Sequence, residues 1–162
     1  VTPTFDFLEK AFLPILNRMG PTVTAELERP GFYPAGGGRF RVAIQPVEKL
    51  RPIELLSRGE VKTKRGKVMV AHLPPDIGER QAQMLRNKLN WPDDAIRIVS
   101  AKNSTGPGNA VMVEIECESV CEVFTSFGER DVPSGKVVER VIDDVRVFSR
   151  APRPSANTWL IS

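Results

Sequence analysis

Downstream of Gly59 the sequence sets short alternating apolar segments between two stretches of helical period, and few architectures satisfy that order. "EVKTKRGKVMVAHL" reads as two short strands around a Lys-Arg-Gly turn. "PPDIGERQAQMLRNKL" predicts a helix with proline in its first turn. "AIRIVSA" is a further strand, "KNSTGPGN" a loop dense in turn formers, and "AVMVEIECESVCEVFTSF" has room for two strands. "SGKVVERVIDDVRVFS" closes the series as a helix, with Ser134 a candidate cap and Val137, Val138, Val141, Ile142, Val145 and Phe148 along one side. The expected order is β-β-α-β-β-β followed by a helix, an α+β arrangement.

Upstream, "FDFLEKAFLPILNRM" places Phe5, Leu8, Phe12, Ile15, Leu16 and Met19 on a helical stripe that Gly20 ends. Pro14 lies inside it, where its missing N–H and its ring predict a bend. "TVTAELER" and "RFRVAIQP" alternate and read as two strands joined across "GFYPAGGG". Glycine-rich loops hold phosphate when their N–H groups converge at the start of a helix. Here the glycines lie between strands without a Gly-Lys-Ser/Thr ending, so a tight connection using positive φ is favoured over a phosphate cradle. "TGPGN", Thr105 to Asn109, gets the same reading.

Composition narrows the function classes. The chain has 162 residues, 41% of them hydrophobic and 27% charged, enough for one ordinary domain or two small ones. No apolar run approaches the roughly 20 residues of a membrane span, so a soluble protein is expected. It opens at Val1 without a secretory signal's succession of residues, which reads as a cut start, and two cysteines read as reduced thiols make the cytoplasm the expected compartment. A net charge of +3 permits a polyanionic partner without requiring one. Lys62, Lys64, Arg65 and Lys67 form a basic hairpin tip, read either as a solvated turn or as a nucleic-acid contact. Cys117 and Cys121 read as reduced thiols, and with His72 the sole histidine no metal site is expected. His72 alternates with apolar neighbours and reads as a structural residue. No nucleophile is paired with a base, so residue chemistry alone assembles no catalytic constellation.

In combination, "GFYPAGGG", Arg58-Gly59, "AHLPPDIGERQ", "GPGN" and "GERDVPSGKVVERV" resemble, in order and spacing, the middle of the RNA 3′-terminal phosphate cyclase family. The resemblance implies a partial βαβαββ-repeat scaffold over residues 1–57 and an inserted thioredoxin-like α/β domain over 58–149. It implies the family's chemistry: conversion of an RNA 3′-phosphate into a 2′,3′-cyclic phosphate with ATP and a divalent metal (Mg or Mn), through an adenylated histidine. It also implies that Pro3 and Phe7 stand where the family holds adenine, although both could equally pack against the core. The family's glycine-rich N-terminal segment and its nucleophilic histidine find no match in this chain, and His72 does not correspond to that nucleophile.

The tail over residues 150–162, "RAPRPSANTWLIS", departs from the family, whose members commonly read close to "APVGEHLADQ" there. One codon choice for "PRPSANTWLIS" yields that family segment in a neighbouring reading frame, so an aberrant, frameshifted tail is expected. The leading expectation is therefore a truncated cyclase, inactive alone and binding no cofactor tightly, whose severed sheet edges promote self-association. Two rivals belong to other classes: a non-catalytic cyclase-like ribosome-assembly protein, and a stand-alone RNA- or protein-binding module.

Overall fold

A computed structural model describes residues 4–150. It shows an α+β protein with a two-stranded and a four-stranded sheet. The N-terminal helical run comprises α1 (Phe5–Phe7), a π-helical turn (Leu8–Phe12) and α2 (Leu13–Arg18). Thr4 caps it by accepting the Phe7 N–H on its Oγ1 at 3.2 Å. The π-turn is how the helix accommodates Pro14. Leu13 N–H donates to Leu8 O, and the widened turn lies directly before the proline, which occupies the first turn of α2.

Strands β1 (Thr22–Arg29) and β2 (Arg39–Gln45) form an antiparallel hairpin. Its connection contains the triple glycine. Gly36 and Gly37 have φ of 65° and 70°, and Gly36 bridges back to Phe32, so these glycines supply a turn at no steric cost.

The remaining elements are β3 (Val61–Ala71), α3 (Pro75–Leu89), a 3₁₀ turn (Asp93–Ala95), β4 (Ile96–Ser100), β5 (Gly108–Cys117), β6 (Cys121–Phe127) and α4 (Ser134–Arg150). The sheet runs β4-β3-β5-β6, with β3 and β4 parallel and the other neighbours antiparallel. One expectation fails here. Lys64-Arg65-Gly66 is no turn, because β3 is a single strand of 11 residues paired along its length with β5, from Val61↔Cys117 to Ala71↔Gly108. Gly66 serves close packing: a Cβ there would lie 3.0 Å from Ile96 Cγ1.

Both faces of this sheet are covered. On one, α3 and α4 bury Val68, Val70, Val111, Val113 and Ile115 against Leu85 and the predicted stripe Val137, Val138, Val141, Ile142 and Val145. Phe148 completes the stripe against Phe124, with ring centroids 5.5 Å apart. Arg58 lies over the Phe148 ring at 4.4 Å and donates to its carbonyl at 2.9 Å. On the other face, alternation presents Met69, Ala71, Ala110 and Met112, and Phe32 from the hairpin loop is buried among them. The two glycine-containing loops meet here. Thr105 Oγ1 donates to Gly36 O at 2.8 Å, Asn103 Nδ2 donates to Glu28 O at 3.0 Å, and Gly108 lies under the Phe32 ring, where a Cβ would come within 1.9 Å of it.

Two buried amides close the helical layer. Gln81 and Asn109 donate reciprocally to one another at 2.8 Å; Asn109 also donates to Met69 O and Gln81 to Ser134 O. Among the described residues no helix is long and apolar enough to cross a membrane. The reading of an aberrant tail falls, apart from Arg150, outside the described residues. The packing of Phe32 yields a prediction. Phe32→Ala removes a ring that is 7% exposed, and chemical denaturation should report a loss of about 3 kcal/mol. A change below about 1 kcal/mol would show that the loop contact is incidental.

Candidate nucleic-acid interface

Strand alternation, rather than a hairpin tip, distributes the four predicted cations. Arg65 and Lys67 project from β3 toward the N-terminal helix, where Lys67 pairs with Asp6 and Arg65 Nη1 lies 3.8 Å from Glu114 Oε1. Lys10 shares that carboxylate, at 3.7 Å from Oε2. Lys64 alternates to the α3/α4 side of β3, but it lies beyond the end of β4, whose pairing begins at Gly66↔Ile96, and borders the depression at the strand's open edge. Lys62 stands outside it.

The depression is a groove of about 580 Å³ between α1, the π-turn, β3, β4 and the 3₁₀ turn. Its cations are Lys10, Lys64, Arg65, Lys67 and Arg97; its carboxylates are Asp6, Asp94 and Glu114. The balance is positive. A neighbouring groove of about 510 Å³, on the far side of Arg65 and Glu114, adds Glu9, Glu116 and Glu118 against Arg18 and offers an anion nothing comparable.

The other candidates fall elsewhere. Phe7 is half-buried at the end of α1 and lines neither groove, and Pro3 lies outside the described residues. His72 adopts φ 49° at the end of β3, and its Nε2 lies 2.8 Å from Ser104 O, which fixes the ring to the Thr105 loop. Glu114 and Glu116 alternate to the face opposite α3 and α4, toward the N-terminal helix, Glu116 accepting from Thr63 Oγ1 at 2.7 Å. Lys10 and Arg97 were absent from the sequence-derived set. The alternation of "AIRIVSA" carried the signal for Arg97, since Ile96 is buried and Arg97 exposed. For Lys10 no local signal distinguishes a groove residue from a solvated helix position.

Cys117 and Cys121 are free thiols at the turn joining β5 to β6. Burial, reinforced by Glu114 and Glu116, pushes the Cys121 thiol up to about 11, and burial also raises Cys117. Neither is a nucleophile at neutral pH.

The family model for the insert domain of RNA 3′-terminal phosphate cyclase matches residues 56–148. The chain belongs to the RNA 3′-terminal phosphate cyclase family. A relative from Koribacter versatilis (strain Ellin345), named RNA 3′-terminal phosphate cyclase, is 47% identical over 137 residues, covering 85% of this chain and 39% of its own length. Relatives of the same name from Ectopseudomonas mendocina (strain ymp) and Ralstonia nicotianae (strain ATCC BAA-1114 / GMI1000) are 37% and 39% identical. They cover 90% and 86% of this chain, and 42% and 40% of their own lengths. The chain thus spans about two fifths of the length of these curated cyclases.

The raised thiol gives a pH prediction. Because its folded pKa exceeds the unfolded one, Cys121 leaves stability intact below pH 9 and subtracts from it as pH climbs toward about 11. In a Cys117→Ser variant, thiolate absorbance of the native chain should rise with a midpoint near 11, against 9 once unfolded. A native midpoint at the unfolded value would mean that Cys121 is hydrated.

Proposed function

We propose that this chain is part of an RNA 3′-terminal phosphate cyclase, in which it supplies an insert domain over residues 58–149 and a portion of the catalytic scaffold over residues 1–57. The carrying observation is the match to relatives of that name across 85–90% of the chain. A β-α-β-β-β-α order with sheet order β4-β3-β5-β6 supports a thioredoxin-like insert. The hairpin and its preceding helix support a partial βαβαββ repeat.

The activity in this reading is ATP-dependent conversion of an RNA 3′-phosphate into a 2′,3′-cyclic phosphate. The chain alone is inactive, because its sole histidine, His72, is held against Ser104 O and no other residue replaces an adenylated nucleophile. Among the described residues no cluster of three or more His, Cys, Asp or Glu side chains converges as a metal site requires. In this reading Mg or Mn serves the full-length cyclase, and this chain alone binds neither the metal nor ATP tightly. Phe7, with Pro3, contributes a flat face to adenine. Two free thiols support a reducing, cytoplasmic setting. The exposed alternate residues of β2, Phe40 (54%), Val42 (42%) and Ile44 (64%), support association of isolated chains through that strand.

The test is a graft. Residues 4–149 replace the matching segment of the Koribacter relative, and cyclisation of a 3′-phosphorylated oligoribonucleotide is followed with ATP. Activity should survive, and Phe7→Ala should raise the KM for ATP by about fivefold with little change in kcat, as loss of one ring contact implies. A folded but inactive graft would sink the cyclase reading. For association, Ile44→Lys should move the isolated chain to monomer in light scattering; an unchanged mass would remove β2 as the contact.

A further inference from the structure

Lys67 and Arg97 are direct partners in the parallel β3–β4 register, so two cations sit side by side on one face of the sheet. Like charges in that relation destabilise a sheet unless something neutralises them. Asp6 neutralises Lys67, but among the described residues Arg97 has no carboxylate partner, and neither has Lys64 at the open end of the same groove. Both are exposed. Asp6 and Glu114 are already occupied by Lys67, Arg65 and Lys10; with the exposed Asp94 counted as well, the five cations of the lining still exceed its three carboxylates by two.

We infer that this groove binds the sugar–phosphate backbone of single-stranded RNA, with Lys64 and Arg97 as the phosphate contacts. Arg97 lies one strand from Lys67 and Lys64 stands at the uncovered end of β3, so a flexible strand meets two cations along the rim, with the paired Arg65 and Lys67 between them. The apolar lining is Met112, Val123, Pro92 and Ala95, which offers no aromatic platform for bases. The contact is therefore to backbone, independent of sequence, and weakened by salt. The choice of RNA as the polyanion rests on the cyclase reading.

The experiment measures binding of the chain to a labelled oligouridylate of about ten nucleotides, across roughly 50 to 200 mM salt. The double variant Lys64→Gln/Arg97→Gln should bind roughly tenfold more weakly, and its log–log salt slope should be shallower by about 1.4, the contribution of two phosphate contacts on a single strand. Lys64→Arg/Arg97→Lys should bind as the parent does. Lys62→Gln/Lys102→Gln removes the same net charge from exposed positions outside the groove and should leave affinity within about twofold. Equal losses in the two glutamine variants, parent-like binding by Lys64→Gln/Arg97→Gln, or no binding by the parent at low salt would each overturn the assignment. An oligomer ending in 3′-hydroxyl should bind like one ending in 3′-phosphate, since the groove reads backbone. An active graft with no groove effect defeats this inference alone; groove-dependent binding with an inactive graft defeats only the cyclase reading.

Discussion

The long antiparallel pairing of β3 with β5 is the constraint from which the rest follows, because it commits both faces of one sheet at once. Ten register pairs, from Val61↔Cys117 to Ala71↔Gly108, fix which side chain goes to which layer. A slip of one residue would exchange every one of them. Val68, Val70, Val111, Val113 and Ile115 are the helical side, uniformly apolar because α3 and α4 exclude water from it. The opposite face changes character along its length. Where Phe32 arrives, the strands carry Gly108, Ala110 and Ala71, small enough for the ring to lie close. Where the N-terminal helix covers them, they carry Arg65, Lys67 and Glu114, paired with one another and with Asp6 and Lys10. The groove exists because the second cover is charged rather than apolar.

That division explains what could be read from the sequence. α4 was legible because its stripe of Val137, Val138, Val141, Ile142 and Val145 outweighs a β-branched composition: amphipathic burial overrides intrinsic propensity. α3 was legible from Pro75 at its start, although its stop at Asn90, with φ 53°, carried no glycine. The Lys-Arg-Gly turn misled because its local chemistry is that of a turn, while its actual conformation is set by β5 more than 40 residues away. Non-local pairing of that kind leaves no local signature. The same holds for the two glycine-containing loops. Each joins two strands, the second running into β5 at Gly108, yet nothing in either segment says that Phe32 of one lies over Gly108 of the other.

The buried Gln81–Asn109 pair illustrates a different limit. Asn109 belonged, by composition, to the turn-forming stretch around Gly106, and Gln81 to a polar helix position. Both are buried. Each satisfies the other's amide, and their spare capacity goes to Met69 O and Ser134 O, so the network ties β3, β5, α3 and the start of α4 together. Buried amides without partners would cost a few kcal/mol, so such a pair specifies one arrangement of the layers more sharply than apolar contacts do.

The hairpin shows the reverse case, a segment with the right pattern and too little cover. A two-stranded sheet is marginal by itself. Of β1 and β2 only Val23 is buried, while β2 is exposed from end to end. What orders the pair is attachment: Phe32 and Thr105 at the loop, and at the other end Asn17, whose amide accepts from Val23 N–H and donates to Val23 O. The alternation of Phe40, Val42 and Ile44 is nevertheless that of a strand with a dry face, just as β5 has. By the logic that accounts for β5, a face of this pattern is one that burial would favour. The four-stranded sheet carries an apolar cluster on each face, the second completed by Phe32, and the hairpin is ordered by what it leans on.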